Sequence, residues 1–551
     1  MYTINLRLYK CSAKYLAIHL FIADIPKRRF ILLNSQLTFI SLLKHHNMKK
    51  FTILSICFLV SLKLIAQQFN LVDFSQNISA ENIKNDVYEL ASEKMEGRET
   101  AKPGQKLAAA YIYKQFKEAG LISYQFKTDS ISYFQDFSVY KKDIPIIKLS
   151  INENEYKAYE DFSITGYSNL KRNKIELVFI GLAQDSIFKN KDYSDKAVLF
   201  LTSNLYAGPA KAIDIMKETK AKIVFYCNPN NPHQIQNIIQ RQKKMFSRNQ
   251  LLDPSIFEKK NPFDSISQGK LYHGFERLRT TYQGPISEKV VANILNVKLK
   301  NLKKCIAGNP LEIKYKNKLT IDLEFSNTYN SQSTENVIAC IPGSEKKDEY
   351  IVISAHYDHI GANGKKIFYG ANDNASGTAS LIEIARTLKM AVNSGLKLKR
   401  SILFATFSGE EKGLLGSKYF VENKTFPHDN IKANLNIDML GRKDNRHDDH
   451  NFVYLLGTND LNPKLKTITD SINNQYPKLE LDYSYDTADS FLYSASDQAS
   501  FVKRNIPAIF YFNGLHNDYH KTTDTPDKID YDAIKKVSSL IFLTAIELAN
   551  Q

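Results

Sequence analysis

The feature that most limits what this chain can fold into lies in its C-terminal half. A series of short, almost uninterrupted apolar runs occurs there, each followed by His, Asp or Glu. Tyr350 to Ala355 leads into His356 and Asp358, SILFATFS into Glu410 and Glu411, and ANLNI into Asp438. A strand that is apolar at nearly every position needs cover on both faces, which selects a mostly parallel sheet between layers of helices. Helical patterns fall between the runs as that arrangement requires: NASGTASLIEIARTLKM, KGLLGSKYFVEN, NPKLKTITDSINNQ and YDAIKKVSSLIFLTAIELAN. The expected fold is therefore α/β, with a mixed, mostly parallel sheet flanked by helices. Residues at its strand ends stand where open α/β sheets gather their chemistry.

The rest of the chain divides around this core. Residues 67–129 read as a helical lead-in: NIKNDVYELASEKM and GQKLAAAYIYKQFKEAGL show helical spacing, and Gly120 is placed as a C-cap. EGRETAKPG between them reads as a turn-rich loop, and the whole region as scaffold. Residues 130–305 change to short β-type runs (ISYFQDFSVY, IPIIKLSI, KIELVFIG, KAVLFLT, KIVFYC) around one helix, GPAKAIDIMKETKA. This predicts an inserted β-rich domain, with 228–285 a polar, irregular excursion inside it and SEKVVANILNVKL a closing helix. Residues 306–551, starting with the strands LEIKY and TIDLEF, make up the expected catalytic domain.

MKKFTILSICFLVSLKLIAQQ, from Met48, has a basic start, a short apolar stretch and a small residue, Ala66, before a polar one. That is the pattern of a signal peptide over 48–66, with export to the periplasm or the outside expected. The stretch is too short and too interrupted by Lys63 to predict a membrane span. Residues 1–47 then read as a non-native upstream extension. The formal charge of +16 looks like a pointer to a polyanion, but more than half of it sits in the first 66 residues. The remainder forms no basic cluster interleaved with aromatics, so no nucleic-acid partner is expected. Five cysteines, two of them (Cys11 and Cys57) in the leading segments, make no disulfide framework and have no metal-type spacing.

The strand-end residues suit one purpose. Imidazole and carboxylate donors without thiolates favour zinc or a similar divalent ion. Two ions about 3.5–4 Å apart need a shared carboxylate and a mixed set of terminal ligands. His356, Asp373, Glu411, Asp438 and, from GLHNDYHKTTDT near the C-terminus, His520 supply five ligands, with Asp373 counted twice. Glu410 and Glu411 are neighbours whose side chains point apart, so one can ligate while Glu410 stays free as a general base. Gly409 allows the tight turn. Asp358, two residues after His356, is placed to accept the imidazole N–H and orient the ring. His359, His428, His447, His450 and His516 lack this context or are the poorer of two choices, and they are assigned no role.

AHYDHIG, GANDNASG, FSGEEKGLLGS, NIDMLG and YHKTTDTPDKID resemble, in order and spacing, the successive motifs of the co-catalytic di-zinc aminopeptidases. That family also includes glutamate carboxypeptidases and glutaminyl cyclases. The resemblance spans about 330–545 and implies the zinc exopeptidase fold, two zinc ions per chain and peptide substrates. It also implies that His356 and Asp438 hold one zinc, that Glu411 and His520 hold the other, that Asp373 bridges, and that Glu410 is the catalytic base. A cis peptide after Asp373 is a further implication. The 130–305 module looks like the protease-associated domain that many members insert. Gln498, in SDQASF, departs from the histidine that relatives often show, which bears on the substrate pocket rather than the metal site. The expected activity is that of an aminopeptidase. A carboxypeptidase would need a cation for the substrate carboxylate, for which Arg442 or Lys503 and Arg504 are candidates. A one-zinc glutaminyl cyclase and an inactive binding protein are the remaining alternatives.

Overall fold

Strand Lys346–His356 lies at the centre of a ten-stranded sheet and sets its geometry. The computed structural model describes residues 71–551 apart from 125–131, 167, 247–250, 253–280, 310, 312–317, 424–427, 459–462 and 488–489. The 48–66 segment, Cys11, Cys57 and the LEIKY strand beyond its first residue therefore lie outside the described residues. On one side Lys346–His356 pairs in parallel with Arg400–Phe407, and on the other with Ile431–Ile437, which pairs in parallel with Ala508–Phe512. The flanks are antiparallel: Tyr329–Ile341 beside Arg400–Phe407, and Phe452–Leu456 beside Ala508–Phe512. The sheet is thus mixed and parallel at its core, as the apolar runs predict.

Both faces are covered. Val352, Leu403, Ala405 and Ile431 pack with Phe420 and Val421 of helix Leu415–Glu422 and with Phe501 of helix Gln498–Val502. On the opposite face lie the long helices Gly377–Asn393 and Tyr531–Asn550, with the lead-in helices Ala80–Leu90 and Pro103–Glu118 packed beside them. Asp530 starts the last helix by accepting the Ala533 N–H at 2.9 Å. Among the described residues no helix is long and apolar enough to cross a membrane. Cys227, Cys305 and Cys340 are all buried and free.

A separate seven-stranded sheet has its own core, built from Leu199, Phe200, Val224, Phe225, Leu323, Phe325 and their neighbours. The strands Lys196–Leu201 and Ile223–Cys227 and the helix Gly208–Thr219 stand where the sequence predicts them. The boundaries differ from 130 and 305. Phe134–Lys142 leaves the insert and pairs along its length with Tyr329–Ile341 in the catalytic sheet. Thr320–Ser326, expected in the catalytic sheet, pairs between Ile146–Ile151 and Leu170–Phe179. The alternating pattern of each run marks a strand but not its partner, which is fixed by long-range register. The described parts of the polar excursion carry regular structure that its composition does not predict. Its start forms the helix Pro232–Phe246, anchored by buried Ile235 and Ile239, and Leu251–Leu252 adds an edge strand to the catalytic sheet. Two buried residues a turn apart give too narrow an apolar stripe to stand out in a polar sequence.

Candidate metal centre

His356 ends the central strand, with its carbonyl held by Thr378 Oγ1 at 2.8 Å. Its Nε2 lies 3.3 Å from Asp438 Oδ1 and 3.4 Å from Asp373 Oδ1. Asp373 stands in the loop opening helix Gly377–Asn393 and turns its other oxygen to His520, with Oδ2 3.0 Å from Nε2. His520 Nε2 is also 3.3 Å from Glu411 Oε2. One carboxylate thus faces two donor groups, His356 with Asp438 and His520 with Glu411. The five residues expected as ligands converge at one sheet edge. Two bonds of about 2.0–2.1 Å at a tetrahedral angle separate their donor atoms by roughly 3.3 Å, which the observed spacings approach. Zinc fits this donor set, and these residues would hold it.

The loops that carry the ligands are fixed by hydrogen bonds. Asp524 accepts the N–H groups of Asn372, at 3.1 and 3.0 Å, and of Asp373, at 3.2 Å. Asn374 Oδ1 accepts from Gly377 and Met439, tying this loop to the one after Asp438. The peptide Asp373–Asn374 is cis. Ser496 donates to Asp438 Oδ2 at 2.7 Å. Tyr519 stacks on His520 with ring centres 3.8 Å apart. Gly409, at φ 82, turns the chain so that Glu410 and Glu411 diverge, and Glu410 Oε2 lies 3.9 Å from His356 Nε2.

Charge accumulates here because the carboxylates are buried. Burial raises the Glu410 carboxyl well above the ordinary range; His356 opposes the shift, while Glu411, Asp438 and Asp497 reinforce it. Burial acts the same way on Asp373, yet the imidazoles of His359, His356 and His520 overcome it and hold that carboxyl well below its usual range. Burial opposes the charged form of His520, but Asp373 and Glu411 carry its pKa up to about 10. These opposed shifts come from carboxylates and imidazoles crowded together out of water, the pattern of a functional site.

Asp358 differs from expectation. The closest partner of His356 Nδ1 is the backbone carbonyl of Asp358, at 3.1 Å, while the carboxylate is 3.8 Å away. That carboxylate accepts instead from Thr100 Oγ1 at 2.7 Å and from the Glu410 N–H at 3.1 Å. Asp358 is a positioning residue for the loop bearing Glu410, because the chain leaves the strand after His356 and the two-residue alternation no longer holds. Gln498, thought to bear on the pocket, is buried and bonds to Asn436 and to the carbonyls of Leu492 and Tyr493. His516 bonds to Asn372 Oδ1 at 3.0 Å and holds no position in the cluster.

Two residues assigned no role from sequence belong to the site. Arg98, in the loop read as scaffold, is fully buried. It donates to the carbonyls of Leu90 (2.6 Å), Tyr357 (2.8 Å), Tyr369 (2.9 Å) and Gly370 (2.8 Å). It thereby clamps the lead-in to both segments that precede metal-type residues. Burial lowers its pKa to about 10 against the pull of Asp373, Asp358, Asp524 and Glu411. His359 is also fully buried, with Nδ1 2.8 Å from Glu411 Oε1. Its only sequence signal is a second histidine three residues after the first in AHYDHIG.

A buried carboxylate shared between two His-carboxylate groups, with a further glutamate beside them, at the end of a parallel strand, is the kind of donor set that a zinc metallopeptidase uses. Residues 336–545 match the model of peptidase family M28. The chain is 30% identical over 221 residues to a probable leucine aminopeptidase of Arthroderma otae, covering 39% of this chain and 57% of that one. It is 38% identical over 104 residues to a probable glutamate carboxypeptidase of Zea mays, covering 19% and 14%. The chain thus spans little more than half of the first relative and a small part of the second. Among solved structures, an aminopeptidase from Aneurinibacillus sp. strain AM-1 aligns over 87% of this chain and 95% of its own, at 21% identity and a TM-score of 0.46.

Proposed function

We propose that the chain is an exported aminopeptidase that removes N-terminal residues from peptides at a two-zinc centre. The ions would polarise the scissile carbonyl and make a water acidic enough to react near neutral pH. Glu410 takes the proton from that water and returns it to the leaving amine. Its reach to His356 Nε2, 3.9 Å, keeps it beside the metal-type donors without joining either group. Asp358 and Thr100 hold its loop, and Asp438 and Asp373 fix His356.

The observation that carries the aminopeptidase reading over the carboxypeptidase one is the state of the cations named for a substrate carboxylate. Arg442 donates to Asp518 at 2.9 Å, and Lys528 holds the same carboxylate at 3.0 Å. Lys503 and Arg504 are exposed on the turn after helix Gln498–Val502. The cluster itself presents carboxylates, which suit an ammonium. Peptides with a free amino terminus and a blocked carboxyl terminus are expected to be cleaved, those with an acetylated amino terminus to resist, and chelator to abolish turnover. Cleavage of the acetylated series alone would reverse the assignment.

Residues 146–326 are read as the protease-associated-like insert, on the strength of their separate sheet and core. Export rests on the 48–66 sequence. Sequencing of the mature amino terminus is expected to start just after Ala66, and a mature chain retaining residues before Met48 would refute it.

A further inference from the structure

His359 has no partner that explains its burial. The ring is fully enclosed, and neither ring nitrogen makes a hydrogen bond. Glu411 Oε1, 2.8 Å from Nδ1, is also buried without a hydrogen bond, because it lies off the line along which a ring N–H would point. A buried polar group left unpaired forfeits its hydration with no return, so two facing each other need a common partner. Asp373 Oδ2 is 3.7 Å from the same Nδ1, and the His520 ring meets the His359 ring edge to face at 5.6 Å. The ring is held in place from behind. The His359 N–H donates to the Arg98 carbonyl at 3.2 Å, and Gly370, at φ 57, leaves room that a Cβ would close, at 2.5 Å from the ring.

We infer that His359 is a ligand of the ion held by Glu411 and His520. This rests on the two-ion reading and goes beyond it. That ion would then have four protein donors, His359, His520, Asp373 and Glu411, against three for its neighbour, His356, Asp373 and Asp438. Four donors close a tetrahedral shell, whereas three leave a position open. The two ions are therefore held unequally. The group around Glu411 would hold its ion the more tightly, and Glu410 lies beside His356 of the three-donor group.

The test uses the full chain stripped of metal and titrated with Co2+, with His359→Cys and His359→Gln beside the parent. The parent is expected to take up two ions in distinguishable steps. In His359→Cys, cobalt is expected to produce a sulfur-to-cobalt charge-transfer band in the near ultraviolet, since only a side chain that reaches the ion can donate to it. In His359→Gln the tighter step is expected to weaken by more than the roughly 10–100-fold typical of losing an outer hydrogen-bond partner. Melting of the metal-free variants at the parent temperature shows that the fold is kept. Uptake of one ion by the parent would overturn the two-ion reading itself. Two ions in every protein, with parent affinities and no charge-transfer band, would leave that reading intact and overturn the role of His359.

Discussion

Glu410→Gln is expected to lower kcat by about 10²–10⁴-fold while leaving metal content and the fold unchanged. The amide keeps the size of the side chain and cannot accept and return a proton. Glu410 approaches His356 Nε2 only to 3.9 Å, farther than Asp438 or Asp373, and belongs to neither donor group. Glu411, its neighbour, faces His359 and His520 at 2.8 and 3.3 Å. A metal assay on the purified variant separates loss of the base from loss of an ion. Full activity with full metal content would remove Glu410 from the mechanism.

Arg98→Ala is expected to destabilise the chain by at least about 3 kcal/mol, or to prevent folding, because four carbonyl oxygens lose their donors in a dry interior. Arg98→Lys is expected to recover part of this. It keeps the charge, but three donors on one nitrogen cannot span oxygens on Leu90, Tyr357, Tyr369 and Gly370. The effect should reach the metal. Tyr357 and Gly370 precede Asp358 and Asp373 by one and three residues, so the Lys variant should also bind zinc more weakly. Denaturant unfolding of metal-free protein measures the first effect, and competition with a chelator the second. Parent stability in the Ala variant would show that the clamp carries no load. A fragment cut to the family-matched residues 336–545 lacks Arg98 and Thr100 and is expected to be inactive for the same reason.

Much of the centre could be read from the chain because its chemistry is local. An apolar run long enough for one buried strand, ending in His356, running straight into Asp438, or followed after a short turn by Glu411, states both the element and where near its end the donor stands. Periods of two and 3.6 residues separate strands from helices, and strands buried on both faces leave one sheet type open. Carboxylates beside imidazoles without thiolates name the kind of ion.

What the sequence left open was every relation between segments far apart in the chain. Phe134–Lys142 and Thr320–Ser326 were recognisable as strands, but each chose the other sheet, since backbone pairing is blind to side-chain identity until a face is buried. Arg98 and His359 looked ordinary because burial of a polar residue is a property of what packs around it, here segments more than 250 positions from Arg98 in three of its four bonds. Asp358 keeps its carboxylate 3.8 Å from His356 Nδ1, but its shorter bonds run to Thr100 and the Glu410 N–H, because the direction of a side chain after a strand ends depends on the turn that follows. Sequence alone determined the kind of sheet and named five of the side chains that meet at its edge. Tertiary structure decided which groups face one another, because distance and desolvation exist only once the chain has folded.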